Sequence, residues 1–70
     1  MTTEMKLRFI RNYIDAALLA EYRETKRYLL ANARGATMAY GADGSISVSD
    51  IAELTKEIED LLKEIENGTI

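Results

Sequence analysis

"TMAYGADGSISVSD", residues 37–50, decides how the rest of the chain is read. Asp43-Gly44 is a turn pair, and short runs of alternating side chains flank it. A two-residue loop at Asp43-Gly44 would pair Tyr40 with Ser47. Met38 and Tyr40 would then lie on one face, and Ile46 and Val48 on the other. Side chains alternate with period two along a strand, so this register splits the apolar set across the sheet. A three-residue loop, Ala42-Asp43-Gly44, pairs Tyr40 with Ile46 instead. It gathers Met38, Tyr40, Ile46 and Val48 on one face, and it wants a left-handed residue last, which Gly44 supplies. The stretch therefore predicts a β-hairpin, with strands at about 37–41 and 45–48.

Upstream, Ile10, Ile14, Ala17, Leu18, Tyr22, Thr25 and Leu29 recur at helical spacing. They predict one long helix over about 6–33. Gly35 suits the left-handed position beyond its end, and Arg34 complements the helix dipole there. Downstream, Val48, Ile51, Leu54, Thr55, Ile58, Leu61, Leu62 and Ile65 share a narrow stripe. They predict a second helix over about 48–66. Ser47 and Asp50 have capping-box spacing, Asn67-Gly68 is a stop, and Glu59 and Lys63 form an (i, i+4) pair. A lone hairpin is marginal in water, so the helices must lie beneath it. The expected fold is α+β: one domain over residues 1–70, with two antiparallel helices closed by one β-hairpin.

Composition bounds what such a domain does. Seventy residues without cysteine or histidine offer no disulfide, no thiolate metal site, no imidazole base and no imidazole ligand. The absence of cysteine fits a cytoplasmic protein. A chain this short buries only about 60% of its unfolded surface, so association is the remaining common staple. The longest apolar run, Ala16 to Ala20, is far short of the ~20 residues of a membrane span. No signal-peptide pattern is present at the N-terminus. Residues 1–49 hold seven basic and five acidic side chains, whereas residues 50–70 hold two basic and seven acidic. The chain is a poor candidate for free-standing nucleic-acid binding, although a local basic patch on the first half remains.

No catalytic set emerges. Glu57, Glu59, Asp60 and Glu64 cluster on the solvent side of the second helix and read as a solvated acidic face. Asp43-Gly44-Ser45 is too short for a calcium loop, and Gly-Ala-Asp-Gly lacks the Lys-Ser/Thr of a phosphate loop. Tyr13, Tyr22 and Tyr28 fall near the buried stripe, which argues for packing over base stacking. No cofactor, metal or catalytic residue is expected. One feature stands out. The first helix has a second apolar strip, formed by Phe9, Ala16, Leu19 and Leu30, with Arg23, Lys26 and Arg27 among them. Phe9, Leu19, Arg23, Lys26, Arg27 and Leu30 are the expected protein interface.

The run "DGSISVSDIAELTKEIEDL" resembles the small phage head-completion, or head-tail connector, proteins of the gpW type. Asp43-Gly44 matches their hairpin turn, and Ser47-Val48-Ser49-Asp50-Ile51 matches their entry into the second helix. The resemblance spans roughly residues 10–66. It implies a non-enzymatic structural subunit of the virion, present in the host cytoplasm during assembly. Such a subunit sits in a homo-oligomeric ring beneath the portal and completes the filled head. Its partners are the portal and tail-completion proteins. It lies near DNA without sequence-specific binding and touches no membrane. These proteins can carry a flexible C-terminal tail, whereas here Gly68-Thr69-Ile70 alone follow the second helix, so Met1 to Phe9 is the candidate for the tail-side contact. The competing reading is a small binding or regulatory module that docks one partner through the first helix. A designed mini-protein is a third reading, suggested by the regular "IAELTKEIEDLLKEIENG" and opposed by the irregular first helix. An enzyme is the weakest.

Overall fold

Thr37 to Ala42 is helix, not strand. The computed structural model describes residues 1–70 and has no strand at all: the elements are α1 (Thr3–Leu19), α2 (Arg23–Ala42) and α3 (Val48–Glu66). The α+β class and the hairpin expected from the sequence are both overturned. The long helix expected at 6–33 is overturned with them, because the chain turns at Ala20–Tyr22 and α2 runs straight through Gly35.

The reason is tertiary. A straight helix over 28 residues would be ~42 Å long, yet the molecule's longest extent is 34 Å. Folding back at Ala20 sets Ile10, Ile14 and Ala17 of α1 against Leu30, Ala33 and Thr37 of α2, and all six are fully buried. Each large aliphatic side chain removed from water in this way contributes about 1.5–3 kcal/mol. No glycine or proline marks the break. Ala20 leaves the helix with φ −67° and ψ 144°. The carbonyls freed there are capped from the next helix: the Lys26 ammonium donates to Ala17 O at 3.2 Å and Leu18 O at 3.1 Å. Lys26 is thus half-buried as a helix cap.

Period 3.6 also wins over period two in the decisive stretch. Leu30, Ala33 and Thr37 continue one helical stripe across Gly35, and the run Ala31–Ala42 is rich in alanine, the best helix former. Thr37, the one buried polar residue, is satisfied within α2 by donating from Oγ1 to Ala33 O at 2.7 Å. Gly44 does have positive φ, +77°. It serves a helix end rather than a hairpin. Ser45 N donates to Tyr40 O and Gly44 N to Gly41 O, the paired bonds of a Schellman cap. Gly68 closes α3 with the same pair, from Thr69 N to Glu64 O and from Gly68 N to Ile65 O. The shared apolar face of the expected hairpin does not exist: Ile46 is buried and Tyr40 half-buried, but Met38 and Val48 are exposed.

The third helix starts where Ser47 Oγ accepts from Asp50 N at 3.0 Å and the Asp50 carboxylate accepts from Ser47 N at 3.4 Å, a reciprocal capping box. Leu54, Ile58 and Ile65 are buried. The expected Glu59–Lys63 pair is replaced by Lys56–Asp60 at 2.8 Å and by Arg34–Glu59 at 3.8 Å, which ties α3 to α2. The helices run up, down and up. Close backbone packing joins α1 to α2 and α2 to α3. At Gly41 an added Cβ would sit 2.7 Å from Ile51 Cδ1, so glycine leaves room there for the Ile51 side chain of α3.

Candidate protein-binding face

The residues expected to form one interface scatter in space. Leu30 is fully buried and belongs to the core. Phe9 and Leu19 are on α1, whereas Arg23, Lys26, Arg27 and Leu30 are on α2. Grouping them assumed one continuous helix, and the turn at Ala20–Tyr22 destroys that register. Arg23 and Arg27 are exposed and make no ion pair within the chain. Phe9 is 39% exposed and Leu19 84% exposed, so these two remain on the surface.

The surface they mark is the outer groove between α1 and α2, on the side away from α3. On α1, Met5, Phe9, Asn12, Ala16 and Leu19 follow one another at intervals of four, three, four and three residues and are all exposed. That spacing holds one helical seam toward a partner. On α2, Leu29 lines the opposite wall, and Thr25, Asn32 and Ala36 share its side of the helix by spacing. At the centre is a cavity of about 260 Å³ lined by Phe9, Asn12, Tyr13, Ala16 and Leu29. The Phe9 ring packs edge-on against Tyr13 at 5.2 Å and against Tyr40 at 6.4 Å, which fixes its orientation.

None of these residues is charged, although 30% of the chain is. Between Tyr28 and Ala42 the sole charged residue is Arg34, which faces α3. On α3, by contrast, Asp50, Glu53, Lys56, Glu57, Glu59, Asp60, Lys63, Glu64 and Glu66 make nearly half the helix charged. Sequence reasoning missed Met5, Asn12, Leu29 and Asn32 as parts of this surface. The four-three spacing from Met5 to Leu19 was the available signal.

The other concavities are polar. A cleft of about 460 Å³ between α1 and α3 is lined by Glu4, Arg8, Arg11, Asp50, Glu53 and Glu57 around Leu7 and Leu54. Arg11 bridges it, donating through two nitrogens to the two Glu57 oxygens, at 2.9 Å in the longer arm. This hydrogen bonding holds the Glu57 carboxyl below its usual range and raises Arg11, with partial burial opposing both. At the end of the bundle, Lys6 lies over the Tyr40 ring at 5.2 Å and donates to Ser45 Oγ. Asp43 accepts from Ser45 N and Oγ, and these bonds lower its carboxyl pKa. Thr3 Oγ1 donates to Ser45 O at 2.9 Å. These contacts clamp the α2–α3 connection onto α1.

No group of three or more acidic side chains has a spacing that would hold a metal ion. No helix is long and apolar enough to cross a membrane. Comparison of the chain with protein-family models, with curated proteins and with solved structures returned no match.

Proposed function

We propose that the chain is a non-enzymatic assembly module that binds a protein partner through the uncharged outer face of α1 and α2. The observation behind this reading is the seam Met5, Phe9, Asn12, Ala16 and Leu19, exposed along one side of a helix in a chain otherwise dense in charge. Isolated exposed apolar residues such as Val48 are ordinary. A two-helix-wide face with a central cavity and no charge is the kind of surface that another helix covers.

A head-tail connector subunit is the narrower form of the same proposal. The hairpin that carried most of that resemblance is not part of the fold. What remains is the capped helix entry at Ser47 to Ile51, a pattern shared by many helices. The broader class, a small protein-binding module, is therefore the reading adopted.

Site-specific photocrosslinking tests it. A benzophenone side chain at Leu19, 84% exposed, should yield a discrete adduct in cells, and the same probe at Val48, 81% exposed but on α3, should not. Equal labelling at both positions, or none at Leu19, sinks the proposal. An adduct with a portal or tail component would favour the connector form.

A further inference from the structure

The outer face of α1 and α2 is self-complementary, and we propose that a second copy of this chain covers it, related by a two-fold axis that passes beside Asn12. This rests on the docking reading above and names the occupant.

An axis lying in the face and perpendicular to the helices sets α1 antiparallel on the partner's α1 and α2 antiparallel on the partner's α2. With Asn12 near the axis, residues that lie within one residue of equal distance from it on the same side of the helix meet. Phe9 then falls beside the partner's Ala16, and Met5 beside the partner's Leu19. The largest side chain of the seam meets its smallest, and the two flexible ends meet each other. On α2 the level of Asn12 is matched by Leu30, because Leu19 and Arg23 flank the turn at Ala20–Tyr22 and the two helices are antiparallel about it. One amide, Asn12, sits at the middle of the otherwise apolar α1 seam, a placement that sets register in helical interfaces.

The charge pattern agrees. Arg8 and Asp15 occupy the outer rim of α1, one on each side of Asn12. The two-fold operation brings Arg8 to the partner's Asp15, and Asp15 to the partner's Arg8. Asp15 has no ion pair within its own chain, and Arg8 has one exposed partner, Glu4 at 3.3 Å. A two-fold axis along the helices would instead set α1 on the partner's α2, where Arg8 and Asp15 do not meet. No like charges meet across the antiparallel face.

Size also points to a second copy. Ten residues are buried in the single chain. Small domains with so little core commonly gain stability by oligomerisation. Two helices about 26 and 30 Å long, with axes about 10 Å apart, present a footprint of roughly 26 by 20 Å. With side-chain relief this approaches the ~800 Å² per partner of a standard interface, out of 4657 Å² for the whole chain.

Sedimentation equilibrium of the full chain, from low micromolar to millimolar concentration, tests the proposal. The mass should rise from 7.9 kDa toward twice that value. Ala16→Glu and Leu19→Glu, both at exposed positions, should keep the helical circular dichroism and hold the chain at monomer mass. Arg8→Asp or Asp15→Arg alone should raise the dimer dissociation constant by roughly tenfold, since symmetry places each pair twice, and the double exchange should restore it. A monomer at every concentration overturns the second copy as occupant but leaves the docking reading to the Leu19 crosslink. A dimer that survives Ala16→Glu and Leu19→Glu forms elsewhere and likewise overturns the second copy as occupant of this face, with the docking reading again left to the Leu19 crosslink. A dimer lost in the single exchanges and not regained in the double exchange overturns the antiparallel arrangement.

Discussion

Replacing Gly35 with alanine separates a helix that ends near residue 33 from one that runs to Ala42. In the first case Gly35 would be the left-handed residue beyond a C-cap, and alanine there would cost about 1 kcal/mol. In α2 it lies twelve residues after Arg23 and seven before Ala42, with ordinary helical φ, and a Cβ built on it meets no atom within 4 Å. Nothing opposes the gain in helix propensity, which is about 0.8–1 kcal/mol from glycine to alanine in a helix interior. Gly35→Ala should therefore stabilise by about 0.5–1 kcal/mol. For a chain of this size the urea slope is about 1 kcal/mol/M, so the midpoint should rise by about 0.5–1 M. The melting temperature should rise by about 4 °C or more. Urea titration followed by helical circular dichroism, at equal concentrations of variant and parent, reads the sign directly. Gly44→Ala is the internal control: at φ +77° alanine is strained, and its midpoint should fall by a similar amount. A fall for Gly35→Ala would refute the continuous α2 and restore the early stop.

Three further perturbations test the packing and the charge geometry. Leu30→Ala should cost about 2–5 kcal/mol, because Leu30 is fully buried, whereas Leu19→Ala in the monomer should stay within about 0.5 kcal/mol; similar losses at both sites in urea titration would contradict the turn at Ala20. Ser47→Ala removes one half of the capping box and should destabilise by about 1 kcal/mol, and native-state hydrogen exchange should show the loss concentrated in the first turn of α3. Glu57, hydrogen-bonded to Arg11, binds its proton less readily folded than unfolded. Its contribution is thus present above the unfolded value of about 4.3 and lost as pH falls through the depressed folded value. The pair is about 40% exposed, so screening holds it to about 0.5 kcal/mol or less. The stability gap between the parent and Glu57→Gln should be widest near neutral pH at low salt and close on acidification; a gap unchanged with pH would place the pair outside the stability of the fold.

Some of this was legible in the residues because it is local. Ser47 and Asp50 meet through the first turn of their own helix, and the stripe from Ile51 to Ile65 needs nothing but 3.6-residue periodicity. Positive φ at Gly44 was legible too, since Asp43-Gly44 favours a left-handed bend in many settings. What that bend joins was not. The same glycine serves the last position of a three-residue hairpin loop or the residue beyond a Schellman-capped helix. Met38 and Tyr40 alternate well enough for a strand, and Leu30, Ala33 and Thr37 recur well enough for a helix. The choice falls to the longer stripe, whose burial depends on Ile10, Ile14 and Ala17 some twenty residues away.

The turn at Ala20–Tyr22 shows the limit most clearly. Ala-Glu-Tyr contains no breaker, and no nearby side chain caps the start of α2. The break exists because folding back buries two apolar stripes and lets Lys26 satisfy the carbonyls it frees. Once the register changes there, Leu30 moves into the core and leaves Phe9 and Leu19 outside, so the composition of the binding face changes with it. Helix caps, stripes and the sign of a glycine φ are properties of neighbouring residues and follow from sequence alone. Where an amphipathic chain folds back on itself, and which of its two apolar faces stays exposed, is set by contacts between distant residues and was decided by the tertiary structure.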